Sequence, residues 1–266
     1  MALIGVIGGS GLYSLLDSLL DATEPVRIGT PYGDPSAAVT VGRMGETDLA
    51  FLPRHGTAHE YPPDRINYRA NLWALRSLGV RDVLAPCAVG SLDPTLERGG
   101  FVVPDQILDR TTGRERTYYD AAVHIGFADP YCPRGRKTVL AEGNQLGLHP
   151  ADGGALVVID GPRFSTRAES RSYAAAGGRI VGMTGMPEAI LARELALCYT
   201  AIGLVTDHDA GVEAGSGVSQ QQVLDTFAAG LDDLRRLLAA TAGAIGHADC
   251  SCRHALDGLD LPIELP

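Results

Sequence analysis

Residues 3–11, Leu-Ile-Gly-Val-Ile-Gly-Gly-Ser-Gly, decide how the rest of the chain is read. A short apolar, β-branched run ends in a cluster of small residues, the pattern of a buried strand that stops at a turn with accessible backbone N–H groups. The same pattern recurs five times. Asp48 to Leu52 leads into Pro53-Arg54-His55-Gly56, and Arg81 to Ala85 into Cys87-Ala88-Val89-Gly90-Ser91. Ala155 to Ile159 leads into Gly161-Pro162-Arg163-Phe164-Ser165, and Arg179 to Gly182 into Met183-Thr184-Gly185. Tyr199 to Val205 leads into Thr206-Asp207-His208-Asp209. Between them, Ala70 to Leu78, Arg167 to Ala176 and Glu188 to Leu195 (after Pro187) read as helices. Ser219 with Gln222 forms a capping box, and Val223, Phe227, Leu231, Leu234 and Leu238 make the stripe of one long terminal helix. Strands alternating with helices predict an α/β domain with a mixed or largely parallel sheet. Arg110 to Pro133 reads as a long irregular excursion of the functional or intersubunit kind.

Composition narrows the function. The 266 residues carry 22 Lys+Arg against 32 Asp+Glu, a net charge of −10, so the chain lacks the basic footprint of a nucleic-acid binder. No apolar run reaches the roughly 18 residues of a membrane span, and the Gly-rich start lacks the basic leader of a signal peptide. The 33 Gly and 16 Pro follow no fixed period, which excludes collagen and points to many tight loops. Cys87, Cys132 and Cys198 lie apart in the sequence among apolar or aromatic residues, while Cys250 and Cys252 form a close pair. This is no disulfide framework, and a reducing, cytoplasmic setting is expected.

In open α/β sheets ligands bind beyond the carboxyl ends of the strands, so six clusters at six strand ends should converge on one crevice. Gly-rich turns, hydroxyls at Ser10 and Thr184, and the Arg54-His55 pair suit an oxyanion such as phosphate. The glycines at 5, 8, 9 and 11 do not fit the dinucleotide fingerprint, and there is no P-loop Lys. Ser10 fails the nucleophile elbow because position 12 is Leu, and His59-Glu60 lacks the second His of a zinc-protease helix. Alone, Arg54-His55 is compatible with an exposed pair, and Asp207 and Asp209 with turn caps.

Together, G-V-I-G-G-S-G-L at 5–12, P-R-H-G at 53–56, N-Y-R-A-N-L-W-A-L at 67–75, G-S-L at 90–92 and D-Q-I-L-D-R-T at 105–111 are more specific. They are joined by G-P-R-F-S-T-R-A-E-S at 161–170, M-T-G-M-P-E-A at 183–189 and T-D-H-D at 206–209. In this order they resemble the methylthioadenosine phosphorylase branch of the purine nucleoside phosphorylase family, from about Leu3 to about Leu238. The resemblance implies a single domain, residues 1–245, with a central mixed, twisted β-sheet flanked by helices, followed by a tail at 246–266. It implies phosphorolysis of a purine nucleoside with inorganic phosphate as co-substrate, no metal or organic cofactor, and a homotrimer.

By the same resemblance, Ser10, Arg54, His55, the Cys87-Ala88 backbone and Thr184 would hold phosphate. Met183 would lie under the ribose, with Phe164 and His208 also against the substrate. Asp207 and Asp209 would serve the base. A purine leaves as an anion unless N7 receives a proton, which a protonated carboxyl can donate, while a carboxylate accepts from a 6-amino group. Asp at 207 goes with 6-aminopurines, where Asn would suit 6-oxopurines, and Asp207 is expected to carry the proton. Ser165, His59, Val212, Val218 and His124, the last from a neighbouring subunit, would set specificity. Gly182-Met183-Thr184-Gly185 instead resembles members that act on methylthioinosine, which keeps a 6-oxopurine substrate open. In the tail, His247, Cys250, Cys252 and His254 are metal-competent types, but C-x-C is tight for a structural site, and a redox pair or incidental thiols are the alternatives.

Overall fold

The computed structural model describes residues 3–9, 12, 21–212, 217–246 and 248–266. In chain order the strands are β1 (Leu3–Gly8), β2 (Asp21–Val26), β3 (Val39–Met44), β4 (Thr47–Pro53), β5 (Asp82–Ser91), β6 (Phe101–Val103), β7 (Gln106–Asp109), β8 (Ala151–Asp152), β9 (Ala155–Val158), β10 (Gly178–Gly182) and β11 (Cys198–His208). The helices are α1 (Tyr68–Ser77), α2 (Pro133–Gln145), α3 (Arg167–Ala175), α4 (Gly185–Glu194), α5 (Gln220–Ala229) and α6 (Leu231–Ala244).

These strands form one mixed sheet in the order β2-β3-β4-β1-β5-β10-β9-β7, with β11 on β5 and β6, and β8 on β6. The sheet is buried on both faces, as the alternation along β4 shows. Leu49 and Phe51 belong to one core with Leu84, Leu204 and Leu234, while Ala50 and Leu52 belong to the other with Leu72, Trp73 and Leu191. Helices α1 and α4 pack together, and α2 packs on α6. The α/β architecture expected from the alternating runs is therefore the one observed.

Three expectations need correction. Strands β5 and β11 do not stop before their polar clusters but run through them to Ser91 and His208. The two pair in parallel over nearly their whole length, and this buried ladder overrides the turn signals of Pro86 and Gly90. The terminal stripe belongs to two helices that break at Gly230, where a Cβ would lie 2.9 Å from Leu204 of β11. α5 has no fully buried residue, while α6 buries Leu234, Leu237 and Leu238. Cys132 and Cys198 are not isolated: they meet Cys250 and Cys252 in one buried group.

Helix α2 gave no apolar periodicity because it packs through its backbone. Its buried residues are Gly135, Val139 and Gly143, and a Cβ on Gly135 would lie 2.0 Å from Thr200 Oγ1. Residues 248–266 lie against the domain: Cys250 and Cys252 are buried, and Leu261, Ile263 and Leu265 pack on the main core. Among the described residues no helix is long and apolar enough to cross a membrane.

Candidate active site

Strand β5 changes partner along one edge. β11 accompanies it throughout on the other edge. On the open edge β1 pairs with Asp82–Leu84 in parallel, and β10 pairs with Gly90 and Ser91 in antiparallel. Between these two, no described strand pairs with residues 85–89 on that edge. This is the switch point at which an α/β sheet opens a crevice, and Cys87 and Ala88 lie within it.

Arg54 spans the crevice floor. Its side chain is buried, and it donates from Nε and Nη2 to the Glu188 carboxylate at 2.9 Å each. It also donates to the Ile7 carbonyl at the end of β1 and to the Pro86 carbonyl on β5, both at 3.0 Å. Burial works against the guanidinium charge, but Glu188 outweighs it and keeps Arg54 cationic. Four of its five N–H bonds are thus committed, leaving one on Nη1 for a ligand.

His55, next in sequence, is buried and places Nδ1 2.8 Å from the Tyr61 carbonyl. A carbonyl only accepts, so Nδ1 carries the hydrogen. Burial, with Arg54 and His59 adding to it, lowers the His55 pKa to about 4. The ring is therefore neutral near pH 7, with Nε2 as its acceptor. His59 stacks on it at 4.6 Å, held at φ +57°.

Thr184 is buried at the N-cap of α4, yet its side chain makes no capping hydrogen bond. Burial pushes the Cys87 thiol up to about 11, so it is protonated. Ser10 lies outside the described residues.

At the far end of the same crevice, Asp207 and Asp209 are 5% and 3% exposed. Both crowd Gly90, where a Cβ would stand 2.9 Å from Asp207 Oδ2 and 3.5 Å from Asp209 Cβ. Glycine at 90 is what lets the two acids lie against β5. Asp207 Oδ1 accepts from the Thr206 hydroxyl at 2.7 Å. Burial raises the Asp207 pKa, and the charge of Asp209 adds to the shift. Asp209 Oδ2 and Ser165 Oγ are buried with no hydrogen-bond partner among the described residues. His208 goes elsewhere: its Nε2 lies 2.9 Å from the Leu96 carbonyl. Alternation along the strand separates it from the two acids.

Met183 packs over the turn at Gly161. Arg114 fixes this wall, donating to the carbonyls of Met183 and Asp160, each at 2.8 Å. Phe164 is half-buried in the same loop as Ser165. Val212 follows the acids, its N–H donating to the Asp209 carbonyl. Val218 is half-buried ahead of α5, and His124 is exposed in the excursion; no described contact joins either to the crevice.

Glu188, Tyr199 and Arg114 were missed from the sequence. Tyr199 donates to Glu188 Oε1 at 2.7 Å and so completes the support of Arg54. The available signal was a Glu one residue after Pro187, inside an apolar helix that buries Met186, Pro187 and Ala189 beside it.

Comparison with known proteins identifies the family. Residues 3–242 match the Phosphorylase superfamily. The chain is 54% identical over 276 residues to the purine nucleoside phosphorylase of Streptomyces coelicolor, covering 99% of this chain and 97% of that one. It is also 54% identical over 268 residues to the S-methyl-5′-thioadenosine phosphorylase of Mycobacterium tuberculosis, covering 99% and 98%. A crystal structure of a methylthioadenosine phosphorylase from an antarctic soil metagenomic library superposes with a TM-score of 0.90 at 37% identity, covering 96% of this chain and 91% of that one. A partner-switching sheet, a buried Arg-Glu pair and two converging acids thus occur in a chain that belongs to the purine nucleoside and methylthioadenosine phosphorylase family.

Proposed function

We propose that this phosphorylase cleaves S-methyl-5′-thioadenosine with inorganic phosphate, yielding adenine and S-methyl-5-thioribose 1-phosphate. The carrying observation is the pair of buried acids at Gly90, one with a raised pKa and the other with an oxygen lacking a partner. Asp207 holds its proton and donates it toward N7, so the base leaves neutral. The Asp209 carboxyl and the Ser165 hydroxyl complete the hydrogen bonding of a 6-aminopurine. A 6-oxopurine would set its O6 lone pairs against carboxylate oxygen.

Phosphate occupies the open edge of β5. The Cys87-Ala88 backbone, Thr184, Ser10 and the remaining Arg54 N–H bind it and aim an oxygen at the anomeric carbon. A neutral His55 accepts a hydrogen bond from a phosphate oxygen that keeps its proton. Met183 covers the ribose, and Phe164, His59, Val212 and Val218 surround the base and 5′ group. The assembly is a homotrimer in which His124 reaches the neighbouring site.

The second reading is a 6-oxopurine nucleoside phosphorylase. It is favoured by Gly182-Met183-Thr184-Gly185 and by a relative named purine nucleoside phosphorylase at equal identity. Base release from methylthioadenosine, adenosine, inosine and methylthioinosine, with and without phosphate, separates the two. Faster hypoxanthine release would overturn the adenine assignment. Asp207→Asn should shift the adenine-to-hypoxanthine ratio of kcat/KM toward hypoxanthine by at least ~10-fold.

A further inference from the structure

At the opposite end of β5 from the two acids lies a second cluster with its own chemistry. The sulfur atoms of Cys132, Cys198, Cys250 and Cys252 all lie within 4.8 Å of one another, and all four residues are buried. They come from three parts of the fold: the N-cap of α2, the first residue of β11, and the C-terminal segment. From this arrangement we infer that the four cysteines form a structural site for a thiophilic divalent cation, zinc first, that fastens the C-terminal segment to the domain.

The donor set and size fit. A tetrahedral zinc ion bound by four thiolates at ~2.3 Å holds its sulfurs a little under 4 Å apart. The observed separations, from 3.4 Å between Cys132 Sγ and Cys250 Sγ to no more than 4.8 Å across the group, bracket that value. The close C-x-C spacing counts against a site only while all ligands are sought in the tail. Here the tail supplies two and the domain supplies two. The tail histidine that the structure describes is engaged elsewhere: His254 binds Asp249 at 3.0 Å and Asp257 at 2.9 Å.

The surroundings point to an anionic centre. A divalent ion with four thiolates carries a charge of −2, and two guanidiniums, Arg134 and Arg253, interact with the Cys198 sulfur. Arg134 Nε and Arg253 Nε are buried without a hydrogen-bond acceptor among the described residues. Both arginines are held by Asp82, the residue paired with Cys198 across β5 and β11. The Gly135 N–H also donates to Cys132 Sγ at 3.3 Å. Arginines and backbone N–H groups directed at sulfur are the outer support that steadies thiolate ligands. Loading replaces four S–H bonds by four metal–sulfur bonds and releases four protons to solvent, with no change of oxidation state.

Measurements on the whole chain, purified under reducing conditions without chelator, test the site. Elemental analysis should find about one zinc per chain, and a thiol count on the denatured, metal-stripped protein should find all five cysteines reduced. Cobalt titrated into the metal-free chain should give the intense visible bands of a tetrahedral tetrathiolate. Cys252→Ser should lower bound zinc at least ~10-fold in a zinc buffer. Should that variant fail to fold, the cobalt spectrum of the wild-type chain decides. Loss of the four thiols to disulfides, or free thiols that take up neither zinc nor cobalt, would overturn the inference. Because these readouts concern metal and sulfur, they stand or fall apart from the phosphorolysis reading.

Discussion

Arg54 and Glu188 show how one buried pair can constrain both stability and chemistry. With both side chains almost fully buried, removing either partner strands a charge, so Glu188→Ala should cost about 3–5 kcal/mol in urea unfolding. The Glu188→Gln protein should keep its shape better but bind phosphate less well, because Arg54 is no longer aimed. His55 gives an acid limit. In the unfolded chain it titrates near its ordinary value of 6.5, in the folded protein near 4. Between these values the unfolded state takes up a proton that the folded state refuses. The His55 contribution is therefore intact above pH 6.5 and lost as pH falls toward 4, by about 3 kcal/mol in total. Urea midpoints at pH 7 and pH 4.5 should show this loss in the parent and much less of it in His55→Asn.

At the scale of elements, β5 carries the site. Its Gly90 is the contact against which both acids rest, so Gly90→Ala pushes Asp207 and Val181 aside. A displacement near 1 Å in a reacting group can cost ~10²-fold, and kcat/KM for the nucleoside should fall by about that much. The KM for phosphate should move far less, because Cys87 and Ala88 remain in place. The sheet and most of its central strands were legible from apolar runs ending in turn residues. Helix α2 was not, since its buried face is Gly135, Val139 and Gly143 and so leaves no apolar period. The break at Gly230 was equally silent: a stripe of leucines reads the same in one helix as in two. Arg54, His55 and the two acids stood out because polar residues followed buried strands. Glu188 and Arg114 did not, since their partners lie far along the chain at Arg54 and Met183. The positions of Cys132 and Cys198 in the sequence gave no sign that the fold would join them to the tail.

For the whole molecule, the excursion between β7 and α2 has two aspects. Tyr118, Tyr119 and Tyr131 anchor it in the core, while His124 is exposed. An anchored loop with an outward histidine can serve a neighbouring copy with little ordering cost on assembly. On the homotrimer that the family resemblance implies, sedimentation should give three chain masses, and His124→Ala should raise the nucleoside KM in the trimer without changing its mass. A monomer at assay concentration that turns over at full rate would refute this.

The change of partner along β5 has a metric consequence. Cys87 and Ala88 precede Gly90 by three and two residues, which on a strand is about 10 and 7 Å. Since the strand is clamped by β11 along its length, that interval is rigid, like the graduations on a rule. On the proposed reading, phosphate sits at the first mark and the base at the second, with the pentose spanning the interval between them. That reading sets discrimination by length in the backbone, before any side chain tests the identity of the base.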